Sequence, residues 1–287
     1  MSRWGSALSQ VLLNLGCGDR LHSAWTNLDF TSNSPAVQSH DLRRGIPLKD
    51  GVADAVYLSH LLEHFPRKEG QDLLKECYRV LRRGGVLRVV VPDLERTARL
   101  YLQALENALR GYQEWELRYD WMMLELYDQT VRETSGGGML EYFQQKTVRE
   151  RSFVLERLGG EARRLMRPVE ACTSQQGRRH SSLTAGVFLR LRQLPSVARA
   201  KFLRLMLGGR DYRALEVGRF RLHGEVHQWM YDQFSLARAL RSAGFEQSLA
   251  VGPTESQIPG WAEFYLDSEP DGAVYKPDSL YMEALKP

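Results

Sequence analysis

Short apolar runs, each cut off by a glycine or an acid, pattern the N-terminal third of the chain. Val11-Leu12-Leu13-Asn14-Leu15, stopped by Gly16, predicts a buried parallel strand that ends in a tight turn. Thr26 to Phe30 predicts a second strand, Val37 to Asp41 a third and Ala53 to Ser59 a fourth. The period then changes. Leu73, Leu74, Cys77, Val80 and Leu81 recur at helical spacing between Gly70 and Arg83, with Gly84-Gly85 as the stop. Val86 to Val91, closed by Pro92-Asp93, is the most β-branched run and predicts a fifth strand. From Leu94 to about Val226 the pattern is helical, broken at Gly136-Gly137-Gly138, Gly159-Gly160, Pro168, Gly177 and Gly208-Gly209. A helix over Tyr231 to Ala243, a strand over Phe245 to Val251 and a last strand over Ser279 to Leu285 restore the opening style.

Strands alternating with helices predict an α/β fold with a mostly parallel, doubly wound sheet. The expected layout is one α/β domain of residues 1–93 and 227–287, with residues 94–226 as a helical insertion. The spacing adds a constraint. Only Asp19 to Trp25 separates the first turn from the second strand, and Thr31 to Ala36 the second from the third. Parallel strands normally need about a dozen residues to cross over, usually as a helix. The first two helices are therefore stunted or absent, and one sheet face needs another cover, from the insertion or a partner subunit.

Composition is that of an ordinary globular protein, so bulk disorder is excluded as a reading. Three widely spaced cysteines, Cys17, Cys77 and Cys172, make neither a CxxC pair nor a disulfide framework. With no signal-peptide pattern and no apolar run of membrane-spanning length, a cytoplasmic location is expected. Charge is uneven. Leu140 to Glu225 holds 18 Lys+Arg against 8 Asp+Glu, a net of +10 in a chain whose total is +4. Leu189 to Leu207 sets Arg190, Arg192, Arg199, Lys201 and Arg204 among apolar residues, interrupted at Pro195. Such a segment is either solvated helix surface or a surface for an anionic substrate or membrane.

The chemistry starts at Asn14-Leu15-Gly16-Cys17-Gly18. A strand ending in GxG turns sharply with no side chain in the way, so a ligand can sit against the main chain. A dinucleotide fold wants GxGxxG and an acid about twenty residues on. Here Asp19-Arg20-Leu21 follows and Asp29 arrives too early, so NAD is disfavoured.

In its order of motifs the chain resembles the class I S-adenosylmethionine (SAM)-dependent methyltransferases. NLGCG is similar to their glycine-rich first motif, and Asp29 to the acid that binds both ribose hydroxyls. His40-Asp41-Leu42 resembles the turn that reads adenine, and Ser59 to Phe65 the segment beside the sulfonium. KECYRVLRRGGVLRVVVPDL and SLYMEALKP resemble the next helix and strand and the antiparallel seventh strand. Asp128-Gln129-Thr130-Val131-Arg132 and His227 to Asp232 resemble stretches of a bacterial branch associated with glycan biosynthesis. The resemblance implies a Rossmann-like seven-stranded methyltransferase sheet, SAM as cofactor, and cofactor contacts at Asn14, Leu15, Gly16, Gly18, Asp29, Asp41, Leu42, Ser59 and His60. Asp128, Arg132, Trp229 and Tyr231 are the substrate-side candidates, although Asp128 and Arg132 also suit a helix-surface ion pair.

Methyl transfer to a hydroxyl needs a base, and a histidine near its unperturbed pKa suits it. The candidates are His60, His223 and His227, with Asp93 as the acid alternative. His60 and His64 lie one helical turn apart, but no HExxH or Cys/His set accompanies them, so no metal is expected; His64 reads as a packed histidine. The chain has SHLLEH after the fourth strand, not the Asn/Asp-Pro-Pro-aromatic segment of enzymes that methylate exocyclic amines, and no Pro-Cys nucleophile. The expected acceptor is a sugar, glycan or other small-molecule hydroxyl, phosphate-bearing if the basic segment meets it. Nucleic acid is not expected as partner, and a peripheral membrane contact and a homodimer stay open. Natural-product N- or O-methylation, RNA methylation and SAM binding without catalysis are the alternatives.

Overall fold

The computed structural model describes residues 10–32, 34–145, 150–165 and 183–287, with backbone alone at 164–165 and 183–197. Cys172 and the breaks expected at Pro168 and Gly177 lie outside these residues. Seven strands make one sheet: β1 (Leu12–Leu15), β2 (Thr26–Asp29), β3 (Val37–Ser39), β4 (Ala53–Ser59), β5 (Leu81–Pro92), β6 (Glu246–Ala250) and β7 (Ser279–Leu285). Their order is β3-β2-β1-β4-β5-β7-β6. β3 through β5 pair in parallel, and β7 runs antiparallel to both β5 and β6. This is the Rossmann-like sheet with one reversed strand that the sequence implied.

The central strands are apolar because both faces are covered. β1 is buried along its whole length, and so is β7. On one face α1 (Arg67–Val80) lays down Leu73, Leu74, Cys77 and Val80, beside Leu236 and Leu240 of α8 (Gln233–Ser242). A capping box fixes the start of α8: Asp232 Oδ1 accepts from Ser235 N–H, and Ser235 Oγ receives Asp232 N–H. Helix α1 begins three residues earlier than its spacing predicts and stops at Val80. Gly84-Gly85 is not its stop. The pair lies inside β5, where the register against β4 slips from Ala53↔Leu81 to Ala55↔Val86. A Cβ on Gly85 would meet the Arg82 and Asp54 carbonyls at 2.9 and 3.1 Å.

The other face answers the missing crossovers in an unexpected way. Among the described residues no helix stands between β1 and β2 or between β2 and β3. Within this chain the cover comes from the segment between β6 and β7. Ile258, Trp261 and Leu266 from that segment pack on Leu12, Ala55, Tyr57, Val86 and Val90, with Trp25 from the β1–β2 connection. Trp25, Tyr57, Trp261 and Phe264 meet edge-on or tilted, at centroid distances of 5.1–6.3 Å. Arg88, fully buried on β5, ties the cover down. Its guanidinium bonds Asp267 and Glu283 at 2.8 Å each and donates to the carbonyls of Glu255, Gly252 and Pro253. Trp261 stacks on it at 4.4 Å.

Between β5 and α8 the described residues are mostly helical. α2 (Leu94–Leu109), α3 (Gln113–Met123), α4 (Gly137–Phe143), α5 (Arg151–Leu158) and α6 (Gly160–Leu165) supply a second core around Ala104, Trp121, Met122, Val154 and Leu158. A π-helical turn, Leu124–Asp128, turns Glu125 inward to a buried ion pair with Arg157. α7 (Leu183–Leu222) runs straight through Pro195, against expectation, and kinks at Gly208, whose φ of 75° no helix contains. Among the described residues no helix is long and apolar enough to cross a membrane.

Candidate functional site

Two cavities meet at the carboxyl ends of the parallel strands, where ligands sit in open α/β sheets. The larger, about 480 Å³, is lined by Gly16, Asp29, Phe30, Asp41, Leu42 and His60, with His223 and Gly224 at the far wall. The smaller, about 300 Å³, is lined by Gln129, Arg132, Glu161, His227, Lys276 and Asp278. His60 and His64 belong to both linings. They form the wall between two chambers.

The first chamber is built on the turn after β1. Gly16 and Gly18 adopt left-handed backbone, φ 62° and 50°, so the chain turns away from β1 and exposes main chain. Gly16 N–H donates to the Leu28 carbonyl at 2.8 Å, which ties the turn to β2. A Cβ on Gly16 would stand 2.6 Å from Leu61 Cδ1, whereas the space beside Gly18 is open. Asp29, at the end of β2, accepts the Gly18 N–H at 2.9 Å through Oδ2. Asp41 caps the short 3₁₀ turn Leu42–Arg44 and accepts Arg43 N–H and Nε–H at 3.1 and 2.9 Å. The Arg43 hydrogen bonds hold its carboxyl below the usual carboxylate range. Asp41 is thus committed to its own turn, and Leu42, buried beside it, is the surface it presents.

Not every predicted cofactor residue faces this space. Asn14 is buried and donates to Asn27 Oδ1 and the Arg20 carbonyl at 2.9 and 2.8 Å. Leu15 is core. Ser59 lines neither chamber.

His60 sits at the junction on strained backbone. Its φ is 49°, a region L side chains rarely occupy, and its N–H donates to the Val90 carbonyl at 2.9 Å. Its Nε2 is 2.8 Å from Ser279 Oγ at the start of β7. Its Nδ1 stands 3.3 Å from Glu63 Oε1, an approach too oblique to count as a hydrogen bond to either oxygen. Glu63 is fully buried. Burial works against its charge, but the His60 imidazole, with His64 and His227 behind it, outweighs that and holds the carboxyl down at about 2. Burial pushes His227 down to about 3 and lowers His64 as well, so both rings are neutral near pH 7. They meet edge-on with centroids 4.9 Å apart.

The remaining candidates divide. His223 lines the first chamber and His227 the second. Arg132 lines the second chamber and pairs with Glu225 at 3.3 Å, not with Asp128. Asp128 instead accepts the Gly138 N–H at 2.7 Å and lines neither chamber. Asp93 is the N-cap of α2, bonded to Arg96 N–H at 3.0 Å, and faces neither chamber. Trp229 is half-exposed against Arg67, and Tyr231 is core. Sequence reasoning missed Glu63 as the acid behind His60, and the Lys276 to Ser279 stretch altogether. The i, i+3 spacing of His60 and Glu63 was the only local signal.

The strand order, the glycine turn and the acid after β2 converge with one comparison. Residues 20–89 match the family model described as "Methyltransferase domain". The chain carries a methyltransferase domain, with S-adenosylmethionine as cofactor. The first chamber fits that group: the glycine backbone of Gly16 on its wall, an acid at the β2 end for a diol, and Leu42 and Phe30 for a flat base. No curated protein matches the chain. Among similar solved structures, a Haloferax volcanii complex with the Trm112 methyltransferase activator has 11% identity, a TM-score of 0.38 and coverage of 97% of this chain and 83% of that one. A SAM-dependent methyltransferase from Thermotoga maritima has 12% identity, a TM-score of 0.36 and coverage of 98% and 84%. One from Archaeoglobus fulgidus has 20% identity, a TM-score of 0.26 and coverage of 29% and 45%. These scores are too low to carry weight; the fold rests on the strand order itself.

Proposed function

We propose that the enzyme methylates a hydroxyl of a polar small-molecule acceptor of the sugar or glycan class, with His60 as general base. One observation carries the reading: His60 stands in the wall shared by the cofactor chamber and a second, polar chamber, with a buried carboxylate behind it. The second chamber suits a hydroxyl-rich guest. Arg132 Nε and Asp278 Oδ1 are buried there without hydrogen-bond partners. Buried polar atoms left unpaired are costly, and an acceptor with several hydroxyls satisfies them.

Bound SAM supplies an electrophilic methyl on its sulfonium. Asp29 would hold the ribose hydroxyls, and the Gly16 backbone would stand beside the nucleoside. The acceptor, seated among Gln129, Arg132, Lys276 and Asp278, turns one hydroxyl toward His60. Nε2 of His60 leaves Ser279 Oγ and takes the hydroxyl proton, while Glu63 steadies the imidazolium through Nδ1. Alignment across the shared wall supplies much of the acceleration. The described residues between α2 and α7 form the acceptor side of the second chamber, through Gln129, Arg132 and Glu161. Arg199, Lys201 and Arg204, exposed on α7, draw a phosphate-bearing acceptor toward it. The side chains of Arg190 and Arg192 lie outside the described residues.

The test is a labelled-SAM screen against nucleotide sugars, free glycans and other polyols, run with wild type and His60→Ala at saturating SAM. Turnover falls by roughly 10²–10⁴ in the variant with SAM affinity intact. A variant with near-normal turnover removes His60 from the mechanism, and an acceptor profile confined to amines or RNA removes the acceptor class.

A further inference from the structure

The three groups behind His60 do more than position it. We propose that Glu63, His64 and His227 form a binding site for one divalent transition-metal cation of the zinc type, open toward the acceptor chamber.

Geometry comes first. One donor atom from each of the three side chains lies within 4.8 Å of the other two. Four-coordinate zinc with bonds of about 2.1 Å places its ligand atoms roughly 3.4 Å apart, so a rotamer-scale contraction closes the site. The side chains reach this point from separate parts of the fold. Glu63 and His64 lie on the 3₁₀ turn after β4, and His227 on the connection into α8. Backbone bonds lock the two segments together: Gln228 N–H and Trp229 N–H both donate to the Glu63 carbonyl, at 2.7 and 3.1 Å.

Charge and hydrogen bonding point to the same occupant. Glu63 is fully buried, neither carboxylate oxygen has a hydrogen-bond partner, and among the described residues it forms no ion pair with lysine or arginine. A buried carboxylate whose neighbours are imidazoles and whose oxygens lack a hydrogen bond is an arrangement that a bound cation completes. His64 Nδ1 is buried with no hydrogen-bond partner, so this nitrogen is left free to ligate a cation. Two imidazoles and one carboxylate are a donor set that zinc and its neighbours take, with a coordination position left for water or substrate. That position faces the second chamber, since His64 and His227 both line it. An acceptor hydroxyl bound there would have its acidity raised beside His60. The three donors belong to the protein alone, so metal binding is testable apart from methyl transfer.

The test uses the full chain, stripped with a chelator and dialysed, in the absence of SAM and acceptor. Zn²⁺ is titrated by calorimetry, and Co²⁺ by its visible d–d absorption. One Zn²⁺ binds per chain, Co²⁺ gives the intense spectrum of a four- or five-coordinate site, and saturation raises the melting temperature. Glu63→Gln, His64→Gln and His227→Gln each weaken binding by roughly 100-fold or more, with circular dichroism confirming the fold of each variant used. If one variant does not fold, the other two and the wild-type cobalt spectrum still decide. No saturable uptake by the stripped wild type overturns the proposal, as does uptake unchanged in the folded variants. Uptake with no methyl transfer to any acceptor keeps the metal site and counts against the catalytic reading alone.

Discussion

Replacing Arg88 by methionine removes the cation that pins the β6–β7 segment to the sheet. The side chain is fully buried and holds Asp267 and Glu283 at 2.8 Å each, and three backbone carbonyls lose a donor with it. Methionine fills most of the volume, so the loss is electrostatic more than steric. Removing one partner of a buried ion pair costs about 3–5 kcal/mol, because the other charge stays buried. Two carboxylates are stranded here, but each keeps neutral donors. Tyr57 O–H still reaches Asp267, and Gln257 N–H and Ser256 O–H still reach Glu283. The expected loss is therefore in the middle of that range, about 4 kcal/mol. At roughly 2 °C per kcal/mol for a chain of this size, the melting temperature falls by about 8 °C. Differential scanning calorimetry measures it, and limited proteolysis within residues 251–278 reports whether the cover loosens first. Adding Asp267→Asn and Glu283→Gln removes the stranded charges and restores about half of the loss. A single variant within about 1 kcal/mol of wild type refutes the reasoning, and so does a triple variant no more stable than the single one.

That face of the sheet also marks the limit of what the sequence disclosed. Short connections after β1 and β2 announced that a cover was missing, because crossover length is a local property. What replaces it was not legible. Ile258, Trp261 and Leu266 meet β1, β4 and β5 only through contacts of high sequence separation, with no periodicity of their own. The glycine turn and Asp29 were readable for the opposite reason: strand, turn and acid follow one another within a few residues. Gly84-Gly85 misled, since a glycine pair signals a helix stop and a strand bulge equally well. Asp93 misled too, because an acid that closes a strand also caps the helix that follows. Glu63 escaped since its burial and its nearness to His227 arise from tertiary packing.

Three further outcomes follow from the same geometry. Gly16→Val places a branched Cβ at φ 62° and 2.6 Å from Leu61 Cδ1, and the fold loses about 2 kcal/mol or more together with SAM binding; thermal melts and calorimetry read both. Glu76 accepts from Arg79 and the Ile46 N–H, and the Arg79 hydrogen bond lowers its pKa from 4.5. Its contribution is therefore fully present above pH 4.5 and is lost as pH falls through the lower folded value, so Glu76→Gln weakens the neutral protein and flattens the acid limb of its stability profile; an unchanged profile from pH 3 to 7, measured by about ten urea melts, contradicts this. Arg204→Gln, on the exposed part of α7, raises the Michaelis constant of a phosphate-bearing acceptor and reduces the salt sensitivity of turnover, with SAM affinity unchanged.

If the chamber at the ends of β1, β2 and β3 holds S-adenosylmethionine through Asp29, titration calorimetry of SAM into wild type and Asp29→Ala reads it with no knowledge of the acceptor. Wild type binds one SAM per chain, and the variant loses about 2–4 kcal/mol, roughly 30- to 1,000-fold in affinity, from two charge-assisted hydrogen bonds. Wild type that binds no SAM, or an Asp29→Ala variant that binds it as tightly, rules this assignment out.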